Sequence, residues 1–107
     1  ASLAHLGVDA AFVTALPDHA IADACVADLR SIGVETQHIL RTSDGRLGIY
    51  FLEQGVNQRG GNVIYDRDGS AVAITPASAY DWDAIFSDCE WFVISGITPA
   101  ISRNAAG

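Results

Sequence analysis

Apolar positions in the first forty residues follow three different periods. "ASLAHLG" sets Leu3 and Leu6 one turn apart ahead of Gly7, the pattern of a helix's last turn and its left-handed cap, so the chain is expected to start inside a helix. "AAFVTAL", Ala10 to Leu16, is a continuous apolar run of the kind buried on both faces of a parallel sheet. Ile21, Cys25, Leu29 and Ile32 then recur at spacings of four, four and three, while Asp23, Asp28 and Arg30 lie off that stripe. This predicts an amphipathic helix, with Pro17 and Asp18 at its start and Gly33 at its end. "VETQHIL" reads as a second extended stretch, so Ala10 to Leu40 forms a βαβ-like unit.

From Arg46 to Thr75 the helical period disappears. "RLGIYFLE", "NVIYDR" and "AVAIT" read as three strands, the first two joined by the Gly-rich "QGVNQRGG" and the last two by the tight-turn signal "DGS". They predict a three-stranded antiparallel meander set into an α/β chain. The α/β pattern then returns: "DWDAIFSD" predicts a short helix with Asp81 as N-cap and Trp82, Ile85 and Phe86 on one face. "EWFVISG" predicts a buried strand, and Ser95, Gly96, Ile97 and Thr98 fall at its C-terminal end, where open α/β sheets bind ligands. "PAISRNAAG" reads as a helix start. The expected division is 1–40 and 78–107 for parts of one α/β core, and 41–77 for the small sheet.

Composition narrows the partners. The 107 residues are the size of one domain, and 50% hydrophobic content predicts a real core. A net charge of -7, with scattered arginines and no lysine, argues against nucleic acid or an anionic membrane as partner. No apolar run reaches membrane-spanning length, so a soluble, cytoplasmic protein is expected. Cys25 and Cys89 read as free buried thiols, and His5, His19 and His38 lack metal-ligand spacing, so no metal site is expected.

In "GNVIYDRDGSA", alternation places Val63, Tyr65 and Arg67 on one face and Ile64 and Asp66 on the other. Two readings are open for Tyr50, Tyr65 and Arg67. They form either an exposed edge with Arg67 paired to Asp66 or Asp68, the commoner arrangement on pattern alone, or a face closing over an anionic, hydroxyl-rich ligand. "SGIT" either presents backbone groups to a ligand or is the plain exit of a strand. "QRGG" joins two strand patterns and reads as a hairpin loop rather than a phosphate cradle. No catalytic constellation is visible: there is no GxSxG and no Walker-type loop, and Asp81 and Asp83 read as helix-start acids.

The succession of the βαβ unit, "GRLGIYFLEQG", "VIYDRDGSA" and "DWDAIFSDCEWFVISGITPAIS" resembles the ribokinase-like, PfkB-type carbohydrate kinases, and within them the 2-keto-3-deoxygluconate kinases. The resemblance covers nearly the whole chain but only an N-terminal-half portion of such a kinase. "ALPDHAIADA" is a weaker match, because His19 and Ala22 stand where Asp and Gly are usual. What the resemblance implies is part of a doubly wound α/β sheet with an inserted antiparallel sheet as a lid, which covers the sugar and often forms a dimer contact. It implies that Tyr50, Tyr65 and Arg67 hold the substrate, with Arg67 near its carboxylate, and that Gly96, Ile97 and Thr98 line the pocket from the main sheet. ATP and Mg²⁺ would bind in a downstream part outside this chain, as would the family's Gly-x-Gly-Asp anion hole with the catalytic base. The upstream Gly-Gly sugar motif is likewise absent. The chain is expected to be inactive by itself, a fragment of a sugar-acid kinase that self-associates through the lid. The alternatives are a fructokinase- or ribokinase-type kinase of a neutral sugar, and a non-catalytic lid or dimerisation module.

Overall fold

The computed structural model describes residues 1–107. The first apolar run is broken in two, into β1 (Ala10–Ala11) and β2 (Thr14–Pro17). "VETQHIL" is split likewise, into β3 (Val34–Glu35) and β4 (Ile39–Thr42). Both pairings are parallel, with Ala11 opposite Glu35 and Thr14 opposite Ile39. Phe12 and Val13 therefore face one residue more, Thr36 to His38, and this local bulge divides what the sequence presents as continuous strands. The connecting helix α2 (Ala20–Ser31) completes the expected βαβ unit.

Two details of that unit differ from expectation. The N-cap of α2 is His19, whose Nδ1 accepts from the Ala22 backbone N–H at 3.3 Å, rather than Pro17 or Asp18. The buried face is centred on Ala22 and Val26, while Ile21 is exposed and Cys25 and Leu29 lie at its margin. The small Ala22 seats the helix closely against the strands, so the core face is turned by one position from the stripe of large residues.

Ahead of this unit, α1 (Ser2–His5) ends as expected: Val8 N–H donates to Leu3 O and Gly7 N–H to Ala4 O, with Gly7 in the left-handed region at φ 78°. These two bonds form a Schellman motif.

The middle segment is a hairpin, not a three-stranded meander. β5 (Ile49–Glu53) and β6 (Asn62–Asp66) pair antiparallel across the 54–61 loop, which Arg59 and Glu53 brace with an ion pair at 3.1 Å. "DGS" does make a turn, closed by Ser70 N–H donating to Arg67 O at 3.1 Å. Beyond it, "AVAI" is helix α3 (Ala71–Ile74) instead of a third strand. Ala71 and Ala73 are buried and α3 packs on β2, a close approach that small side chains permit.

The hairpin is tied at its root. Arg46 N–H donates to Gly69 O, Ala71 N–H donates to Arg46 O at 2.9 Å, and Arg46 and Ser70 form an isolated parallel bridge. Gly45 sits at φ 83°, and a Cβ there would stand 2.8 Å from Ala71 Cα.

Helix α4 (Trp82–Phe86) begins as expected, with Asp81 Oδ1 accepting from Ala84 N–H at 3.0 Å. Trp82 stacks on Phe86 and contacts Tyr80 and Phe92, and its indole N–H donates to Ala77 O at 2.8 Å. Burial raises the pKa of the Tyr80 phenol above its ordinary value of 10.0. "EWFVISG" is not a buried strand: residues 90–96 have no ladder partner, and Trp91 and Val93 are 86% and 81% exposed. A strand needs at least one neighbour to satisfy its backbone groups, and none of β1 to β4 pairs with this segment. Helices α5 (Ile97–Ile101) and α6 (Arg103–Ala106) close the chain.

The predicted real core is small. Only 11 of 107 residues are buried, chiefly Ala15, Ala22, Val26, Val34, Ile39, Ala71 and Ala73. The radius of gyration of 15.4 Å exceeds the value of about 13 Å for a compact chain of this length. Cys25 is half-buried and Cys89 exposed, rather than both buried, and both are free thiols. No helix is long and apolar enough to cross a membrane.

Candidate functional site

The hairpin's register determines which side chains meet. Tyr50 lies directly opposite Tyr65, and their ring centroids are 6.3 Å apart with the planes tilted by 47°. Arg67, two residues beyond Tyr65 on the same face, lays its guanidinium over the Tyr65 ring with Cζ 4.6 Å from the centroid. Gly48 gives this side chain room: a Cβ there would stand 3.4 Å from Arg67 Cβ and 3.3 Å from Ser70 Cβ. The sequence therefore builds an aromatic step with a half-buried cation resting on it.

The charge on Arg67 is not neutralised within the chain. Asp66, on the opposite face, is held by Arg46, which bonds both its carboxylate and, at 2.8 Å, its carbonyl oxygen. Arg59 is taken by Glu53, and Arg41 by Asp23 at 2.6 Å and Asp18 at 3.6 Å. Arg67 makes no ion pair, so the edge arrangement in which it bonds Asp66 or Asp68 does not form. The Arg67 guanidinium makes no side-chain hydrogen bond within the chain, and its paired N–H donors match a carboxylate's two oxygens.

Gly96, Ile97 and Thr98 lie apart from this group. Gly96 precedes α5, Ile97 is exposed, and Thr98 is half-buried with its N–H bonded to Ser95 O at 3.2 Å. No hydrogen bond, ion pair or ring contact joins them to Tyr50, Tyr65 or Arg67. Two open clefts of about 380 and 430 Å³ flank Arg41 instead, and none of the six predicted residues lines them. With Arg41 already matched by two carboxylates, those clefts offer an anion little.

Nothing in the sequence pattern singles out Arg46 or Ser70. Arg46 acts through a partner 20 positions away and has no local signature. Ser70 is 2% exposed, and its Oγ has no hydrogen-bond partner. The alternation in "VIYDR" did hold the relevant clue, since it separates Asp66 from Arg67.

Residues 1–107 match the family described as pfkB family carbohydrate kinase. The chain belongs to that family. It is 39% identical over 99 residues to a 2-dehydro-3-deoxygalactonokinase of Haloferax volcanii, a match covering 92% of this chain and 30% of that protein. It is 29% identical over 73 residues to a ribokinase of Staphylococcus aureus, covering 68% of this chain and 23% of the other. Among solved structures, a 2-dehydro-3-deoxygluconokinase from Thermotoga maritima superposes with a TM-score of 0.89 at 45% identity, over 94% of this chain and 30% of that one. The pfkB chain described here thus spans about 30% of the length of its deoxy-sugar-acid kinase relatives. Its fold is the ribokinase-like α/β arrangement with a small antiparallel sheet.

Proposed function

We propose that this chain is part of an ATP-dependent kinase that phosphorylates 2-keto-3-deoxygluconate or a closely similar sugar acid. The observation that carries the reading is the unpaired Arg67 guanidinium on the Tyr65–Tyr50 step. Arg67 receives the substrate carboxylate, and the two tyrosine hydroxyls order sugar hydroxyls. Within 41–77 the β5–β6 hairpin acts as a lid, and Gly96, Ile97 and Thr98 line the sugar's other side. Phosphoryl transfer depends on holding the acceptor hydroxyl in line and on stabilising charge at the transferred group. This chain serves the first requirement.

The residues present do not fit the second. No group of three or more His, Cys, Asp or Glu side chains is placed to hold a metal ion, and the chain has no lysine to meet phosphates. In this reading ATP and Mg²⁺ are held by parts of the kinase beyond these residues, and those parts also cover Trp91 and Val93. Ile49, Phe51 and Ile64 are exposed on the hairpin face opposite Tyr65, which suits self-association of the lid.

The test is Arg67→Ala in the kinase that carries this chain. Losing a charge-assisted contact worth about 1.5–3 kcal/mol lowers kcat/KM for the sugar acid by roughly tenfold to hundredfold, and leaves a neutral sugar much less affected. Equal losses on both would favour a neutral-sugar kinase, the second reading, which draws on the similarity to a ribokinase. ADP release by the 107-residue chain alone, supplied with ATP and sugar acid, would refute the fragment reading.

A further inference from the structure

Ser102 uses both sides of its hydroxyl. Its Oγ donates to Ala73 O at 2.6 Å and accepts from Ala105 N–H at 3.1 Å, so one oxygen caps the start of α6 and ties it to α3. Beside it, Asn104 Nδ2 donates to Ile74 O at 2.7 Å. Both bonds reach about 30 residues back along the chain and satisfy the carbonyls that α3 leaves open at its end. The other end of α3 is held by the hairpin, through Ser70 N–H to Arg67 O and Ala71 N–H to Arg46 O. One turn of helix and one hydroxyl therefore connect the backbone of Arg67 to the α5–α6 segment that starts at Gly96 and Ile97. We infer that Ser102, supported by Asn104, is a positioning residue that fixes the hairpin root relative to the Gly96–Thr98 turn, and so sets the distance between the two halves of the sugar site. The inference rests on the proposed role of Arg67, and it explains how two groups without direct contact act on one substrate.

The experiment compares Ser102→Ala, Asn104→Ala and Ser102→Thr in the kinase that carries this chain. Ser102→Ala is expected to raise KM for keto-deoxygluconate about fivefold, the worth of one ordinary hydrogen bond, with KM for ATP unchanged. Ser102→Thr keeps the hydroxyl and restores the wild-type value, and Asn104→Ala gives a smaller rise. In an Arg67→Ala background, Ser102→Ala adds less than twofold. Amide exchange at Ser70 and Ala71, measured without substrate, accelerates in Ser102→Ala. Unchanged exchange overturns the tether. Faster exchange with unchanged sugar KM overturns the positioning role, provided Arg67→Ala weakens the sugar acid. If Arg67→Ala leaves the sugar acid unaffected, the proposed function fails instead, and a sugar KM unmoved by Ser102→Ala then removes the positioning role with it.

Discussion

Gly45→Ala tests a close backbone approach at the root of the hairpin. Gly45 lies at φ 83°, where an L side chain costs about 1–2 kcal/mol by itself. A Cβ would also stand 2.8 Å from Ala71 Cα, 2.9 Å from Ala71 N and 2.9 Å from Ile74 Cδ1. The isoleucine tip can swing away, but the two backbone atoms move only if α3 itself shifts, and overpacking of that kind costs about 1–3 kcal/mol more. Gly69, across the same root at φ 66°, has nothing within 4 Å of its added Cβ, so Gly69→Ala carries the conformational cost without the clash. Hydrogen exchange at the Ala71 amide, which is bonded to Arg46 O, reads the opening of this root directly. Gly69→Ala should speed that exchange by roughly tenfold and Gly45→Ala by about a hundredfold or more, since about 1.4 kcal/mol corresponds to a factor of ten. Equal acceleration in the two variants would show that α3 does not press on Gly45, and the argument from close approach would fail.

Three further outcomes follow from the same structure. Asp81→Ala removes the side-chain cap of α4 and should destabilise that helix by about 1 kcal/mol, read as weakened near-ultraviolet circular dichroism from the Trp82 cluster; an unchanged spectrum would contradict the cap. Because burial raises the Tyr80 pKa, the folded state holds that proton more tightly than the unfolded one. Stability from this group is complete below pH 10 and falls as pH rises through the higher folded value, and Tyr80→Phe should flatten that fall in urea titrations. Phe51→Lys places a charge among Ile49, Phe51 and Ile64 and should shift sedimentation toward monomer, whereas an association that survives it must use another surface.

The parts of the fold that were legible share a local cause. The Gly7 cap, the Asp81 cap, the βαβ unit and the β5–β6 pairing are all written in turn chemistry or in period over a few residues. "AVAIT" predicts a strand because alternating alanine with Val72 and Ile74 satisfies a strand's period as well as a helix's. Its state is decided by β2 packing on Ala71 and Ala73, distant in sequence. The periodic stripe of α2 is marked by large residues, whereas its contact face is built on a small one, Ala22. "EWFVISG" has the composition of a central strand, but composition cannot provide neighbours, and none of the chain's other strands pairs with it. At the candidate site, the shared face of Tyr65 and Arg67 was legible from alternation, and the Arg46–Asp66 bond that leaves Arg67 unpaired was not.

The tie between Arg46 and Ser70 brings the entry and exit of the hairpin to one point. Whatever lies between those two residues closes the same short span, and lengthening a loop whose ends already meet adds to its entropy only logarithmically. The hairpin is for this reason an exchangeable cassette. Its strands, its tip and its aromatic step can be replaced by those of another pfkB family member without re-registering β1 to β4, while the supporting α/β layer stays as it is.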